Sequence, residues 1–117
     1  MDQKSRRRQL VSEYKQTRPE AGVYRITNSQ NGKMLLASSP NLPSVHSKME
    51  FARSTNAATI FGYKMAPDVR QYGIEAFSLE ILEVLETRPE MTQTEILADL
   101  KTLEELWREK LDPSLLY

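Results

Sequence analysis

Gly22-Val23-Tyr24-Arg25-Ile26-Thr27-Asn28 is the stretch on which the fold turns, read with Asn31-Gly32 behind it and Lys33-Met34-Leu35-Leu36-Ala37-Ser38 beyond. Val, Tyr, Ile and Thr suit a pleated surface, because branched and aromatic side chains pack well there. Asn-Gly tolerates the positive φ that a tight reversal needs, so the pair signals a hairpin. Residues 22–28 and 33–38 are therefore expected to be two antiparallel strands. The chain between Asn28 and Lys33 makes a loop longer than the minimal two-residue turn.

Downstream, Ser38-Ser39-Pro40-Asn41 breaks the second strand. A helix is expected over about 43–53, with Pro43 tolerated in its first turn and Val45, Met49 and Ala52 on one apolar side. Residues 56–72, with Ile60, Phe61, Tyr63, Lys64 and Met65, also predict helix. Pro67 must kink or restart that segment, since it lacks an N–H and clashes with the preceding turn. Tyr72-Gly73 ends it. Residues 76–85 predict the third strand: Phe77, Leu79 and Ile81 alternate with Ser78 and Glu80, which buries one face. A polar loop with Pro89 follows.

The last helix opens on Thr92 and Glu95, at capping-box spacing. Ile96, Leu97, Leu100, Leu103, Trp107 and Leu111 continue at helical spacing, and Pro113 ends the run. Upstream, Leu10, Val11 and Tyr14 suggest a short helix over residues 3–16, stopped by Pro19. It carries Arg6, Arg7 and Arg8, which read either as a phosphate contact or as a solvated helix end. The economical arrangement is an α/β (α+β) domain, a small three-stranded sheet covered by helices. Residues 1–19 are expected to form a basic N-terminal helical extension and residues 20–117 the domain itself.

The chain has 117 residues, the usual size of one domain, and no cysteine. Disulfides and thiolate zinc sites are excluded, and a reducing compartment fits, so the expected location is cytoplasmic. No apolar run reaches the roughly 18 residues that a membrane span requires. No apolar h-region follows Lys4, Arg6, Arg7 and Arg8, so they are not expected to open a secretory signal. Net charge is zero, yet residues 1–70 hold 12 Lys/Arg against 5 Asp/Glu, and residues 71–117 hold 4 against 11. That division fits an electropositive side meeting a polyanion, and it equally fits two halves that attract each other.

Glu104 is the residue most suggestive of chemistry. Leu97, Leu100, Trp107 and Leu111 lie 7, 4, 3 and 7 positions from it, which sets it at the border of the apolar stripe. A carboxylate against an apolar surface is costly unless it is paired or binds a cation. It either turns outward or pairs with an arginine, or it serves as a metal ligand or acid–base group. His46, the only histidine, could act as a general base or be structural. Tyr24 reads as core or as catalytic. No phosphate-binding glycine loop, nucleophile elbow or zinc-ligand cluster is present.

In order along the chain stand Gly22-Val23-Tyr24, Asn28, Asn31-Gly32-Lys33, Leu35-Leu36-Ala37-Ser38-Ser39, Asn41-Leu42, Tyr72-Gly73, Phe77 and Glu104. This set resembles the GIY-YIG nuclease superfamily over about residues 20–115. The resemblance implies a domain that hydrolyses nucleic-acid phosphodiesters, DNA above all, with one divalent metal, Mg²⁺ or Mn²⁺. It implies that Glu104 holds the metal and that Tyr24 positions or activates water. At the family's second tyrosine stands Leu35, at its motif glycine Ala37, and at its arginine Val45. Lys48, one turn along, or His46 could replace that arginine's charge, as could Arg53. The alternative is a catalytically inactive nucleic-acid-binding or protein-interaction module on the same fold, with no membrane partner and with scope for a homo-oligomer.

Overall fold

The computed structural model describes residues 19–117, and the expected helix over 3–16 with its arginine run lies outside them. Strand β1 spans Gly22–Asn28 and strand β2 Met34–Ser39. They pair antiparallel from Gly22 with Ser39 to Thr27 with Met34. The turn closes with the Gly32 amide donating to the Asn28 carbonyl at 2.8 Å and Asn28 donating to the Lys33 carbonyl at 2.8 Å. Gly32 sits at φ +75°, the left-handed conformation the Asn-Gly pair was expected to permit.

Helix α1 spans Leu42–Thr55. The Asn41 side chain caps it by accepting from the Ser44 amide at 3.1 Å. Leu42, Val45, Met49 and Ala52 form its buried side. The helix ends at Asn56, whose φ of 60° is left-handed and whose amide donates back to the Ala52 carbonyl at 2.7 Å.

Here the sequence expectation is corrected. Residues 57–65 are turns and bends, and helix α2 covers only Ala66–Tyr72. Asn56 terminates α1 as a left-handed cap, and Gly62 at φ +100° opens the path away from helix. Pro67 sits in the first turn of α2 and starts a helix there, where its missing N–H costs nothing. Gly73 ends α2, and a short 3₁₀ turn over Ile74–Ala76 delivers the chain to strand β3, Phe77–Val84.

The sheet order is β2-β1-β3, antiparallel throughout. Opposite Val23 and Tyr24 the ladder shifts: Tyr24 faces Ile81 and Val23 faces Glu83. Leu82 is thus the extra residue of a β-bulge, which reverses the alternation of β3 beyond it. Phe77, Leu79 and Ile81 share the core face as expected, while Glu83 turns away and accepts from Trp107 Nε1 at 2.9 Å.

The main core joins Tyr24 and Ile26 of β1 to Leu42, Val45, Met49 and Ala52 of α1, with Met65, Val69, Ile74 and Phe77. Fully burying a side chain such as Phe77 or Ile26 stabilises by roughly 1.5–3 kcal/mol. Helix α3, Gln93–Lys110, starts at the expected capping box: Glu95 N–H donates to Thr92 Oγ1 at 3.2 Å, and Thr92 N–H donates to Glu95 Oε1 at 3.4 Å. Ile96 and Leu100 hold it against Ala21, Met91 and Leu85. Leu97, expected in the apolar stripe, is instead 48% exposed. Among the described residues, no helix is long and apolar enough to cross a membrane.

Candidate functional site

Tyr24 stands in the middle of the central strand and is buried, 8% exposed. Around it the same apolar cluster gathers Leu42, Val45, Leu35 and Ala37. Its phenol is held above the usual tyrosine range, first by burial and then by the negative charge of Glu104. Both effects disfavour a phenolate. β1 and α3 therefore bring Tyr24 and Glu104 within electrostatic reach of each other, although 80 positions separate them in the chain (104 against 24).

Glu104 sits at the border of the α3 stripe, as its spacing required, with its side chain 26% exposed. Its Oε2 accepts from an Nη of Arg108 at 3.3 Å, one turn along the helix. Glu105, by contrast, is exposed. Arg108 is the arginine of the pairing expected as one alternative for Glu104. The signal was the i, i+4 spacing, which places two helical side chains side by side.

The α1 cations are arranged differently. Val45 points into the core at 2% exposure, while His46 and Lys48 are both exposed. Two residues apart on a helix means about 200° of rotation, so these side chains leave α1 in nearly opposite directions. Only one of them can lie on the flank nearer Tyr24. Lys48 is about 60° from the direction of Val45, and His46 about 100° on the other side.

A second polar cluster closes the hairpin. Asn28 is completely buried, and its Nδ2 donates to Tyr117 Oη at 3.1 Å and to Asp68 Oδ2 at 3.5 Å. Tyr117 Oη donates to the same Asp68 oxygen at 2.7 Å, and Asn31 Nδ2 donates to it at 3.0 Å. Lys33 lies over the Tyr117 ring at 5.9 Å from its centroid. The hydrogen bond from Tyr117, then that from Asn31, holds the Asp68 carboxyl below its ordinary range. Burial and the Asp68 bond push Tyr117 up to about 12. Asn31-Gly32 was expected as the turn, with Asn28 and Lys33 as the strand ends that flank it. Asp68 and Tyr117 carried no sequence signal, because a long-range polar pairing leaves no periodic trace.

Could the site take a divalent cation? Among the described residues no group of three or more His, Cys, Asp or Glu side chains could hold one. Mg²⁺, however, keeps much of its water and is commonly held by one or two carboxylates together with substrate phosphates. Glu104, half-buried and bonded through one oxygen to a displaceable arginine, fits that mode. A cavity of about 200 Å³ opens elsewhere, beside Ala21, Asn41, Gln93 and Ile96, and neither Tyr24 nor Glu104 lines it.

No protein-family model matches the chain, and no curated protein matches it. Among solved structures it is similar to the catalytic domain of the intron endonuclease I-TevI, determined as a glutamate-to-alanine mutant. The TM-score is 0.55 at 17% sequence identity, over 79% of this chain and 84% of that one. The three-stranded antiparallel sheet with its helices is a GIY-YIG-like fold.

Proposed function

We propose that this domain is a divergent, metal-dependent endonuclease that hydrolyses phosphodiester bonds in DNA, with Tyr24 and Glu104 at its centre. The reading is carried by a buried tyrosine of β1, whose phenol is held up by burial and then by the charge of a half-buried glutamate of α3, on a GIY-YIG-like fold. Glu104 would hold one Mg²⁺ or Mn²⁺, which when bound would stabilise the negative charge that develops on the phosphate. Tyr24, kept neutral by burial, would use its hydroxyl to orient the attacking water. Lys48 is the α1 cation closest in direction to the position where the resemblance expects an arginine, and it would meet the phosphate. His46 would act only if the other flank of α1 faces the substrate.

A second reading has its own support. Leu35 and Val45 pack in the same apolar cluster as Tyr24 and supply neither a proton donor nor a cation there. Such a site binds nucleic acid more readily than it cuts it. Losing one transition-state donor costs about 10²–10³ in rate. Cleavage of linear, nicked and branched DNA with Mg²⁺ and Mn²⁺, run beside Glu104→Ala, separates the two. Cutting by the wild type alone supports the nuclease. DNA binding without cutting by either protein supports the binding module.

A further inference from the structure

The ion pair on α3 makes a more specific prediction about how the site is charged. Arg108 lies one turn from Glu104 and bonds only its Oε2 among the contacts described. At 45% exposure, its guanidinium still presents the rest of its donor fork to solvent. Val45 offers only carbon atoms to the core around Tyr24, and His46 and Lys48 leave α1 on opposite flanks. Lys110, the other cation at the end of α3, is taken up against the Trp107 ring at 4.7 Å. Arg108 is thus the cation in direct contact with the carboxylate that the proposed function assigns to the metal.

We propose that Arg108 is the resident counter-ion of Glu104: it competes with the divalent cation for the carboxylate and, once displaced, offers its guanidinium to the nucleic-acid phosphate. Two physical facts support the exchange. A half-exposed i, i+4 pair is weak, so a divalent cation can displace it. A freed guanidinium matches two phosphate oxygens with a planar pair of donors, which an ammonium cannot do. The proposal rests on the metal-dependent nucleic-acid reading above and goes beyond it by naming the residue that links the metal to the phosphate.

The test is a Mn²⁺ titration of the full chain by calorimetry, comparing wild type, Arg108→Gln, Lys110→Gln and Glu104→Gln. Binding to a short DNA duplex in non-catalytic Ca²⁺ is then measured at several salt concentrations. Arg108→Gln is expected to bind Mn²⁺ about 3- to 10-fold tighter, the effect of removing one half-exposed charge from beside the ligand. The same variant is expected to bind DNA more weakly, with a salt slope smaller by about one. Lys110→Gln, a matching loss of charge on the Trp107 side, leaves the Mn²⁺ affinity within about 2-fold, as screening of a more distant exposed charge allows. A merely structural arginine would not tighten metal binding when removed. Equal Mn²⁺ affinity in wild type and Arg108→Gln overturns the counter-ion while leaving Glu104 as the metal residue. Tighter Mn²⁺ with unchanged DNA binding overturns the phosphate half. Mn²⁺ binding that survives Glu104→Gln, or no Mn²⁺ binding at all, overturns the underlying metal reading together with this one.

Discussion

The hydroxyl of Tyr117 donates to Asp68 at 2.7 Å and accepts from the completely buried Asn28 at 3.1 Å, so one phenol ties the end of β1 to helix α2. Tyr117 also pairs its amide with the Met34 carbonyl at 2.9 Å, beside the bridge between Met34 and Leu116 that covers the outer edge of β2. The turn end of the hairpin on which the site is built is thereby fixed on both of its strands.

Tyr117→Phe should therefore destabilise the domain by about 1–3 kcal/mol, the cost of leaving a buried donor short of a partner. Its pH dependence carries a sign. Tyr117 is raised from 10.0 to about 12 in the folded state, so the folded protein keeps a proton that the unfolded chain releases. The stabilisation is complete below pH 10 and is lost as pH rises towards about 12. Chemical denaturation of wild type and Tyr117→Phe at rising pH should show the two stabilities converging across that window.

Asp68 has the opposite sign. Its carboxyl is lowered from 3.8, so its contribution is present above that value and is lost as pH falls through the lower, folded-state value. Asp68→Asn should lower the melting temperature at neutral pH, and the gap from wild type should close in acid. A gap that is constant with pH would mean that charge on Asp68 contributes nothing to the latch.

Gly22 admits no side chain. A Cβ there would meet the Glu83 carbonyl oxygen, Leu42 Cδ1 at 3.0 Å and Val84 Cα at 3.1 Å, and two of these three are backbone atoms that cannot swing aside. Gly22→Ala should cost about 1–3 kcal/mol or more by overpacking. Gly32→Ala meets no atom within 4 Å but must hold φ +75°, so its smaller cost is purely conformational. A urea denaturation series that ranked the two the other way would contradict the close approach of β3 to β1 at the bulge.

The coupling of Tyr24 to Glu104 can be read directly. NMR of ζ-carbon-labelled tyrosine should show Tyr24 titrating above the ordinary 10.0. Glu104→Gln should lower its midpoint, because a negative neighbour disfavours the phenolate, yet leave it raised, because burial is the larger cause. A midpoint unmoved by Glu104→Gln would mean the two side chains do not sense each other.

How much of this was legible beforehand differs from element to element. The hairpin could be read because Val23-Tyr24-Arg25-Ile26 and Asn31-Gly32 speak through local conformation. The capping box at Thr92 and Glu95 and the border position of Glu104 followed from helical spacing alone. The helix expected over 56–72 is absent from its first ten residues, because the apolar content at Ile60, Phe61 and Met65 does not by itself set a helical backbone. Asn56 and Gly62, at φ 60° and +100°, are the positions that turn the chain. The bulge at Leu82 and the Asp68–Tyr117 bond were illegible because both arise only when distant segments meet.

The central claim is that Tyr24 and Glu104 act as one site. The most direct measurement is single-turnover cleavage of branched DNA with Mn²⁺ by wild type, Tyr24→Phe, Glu104→Ala and the double variant. Residues that act as a unit are non-additive, so the double variant should be no slower than Glu104→Ala alone, with each single variant down by at least about 10²-fold. Wild-type cleavage retained in Glu104→Ala, or losses that simply multiply in the double variant, would contradict the claim.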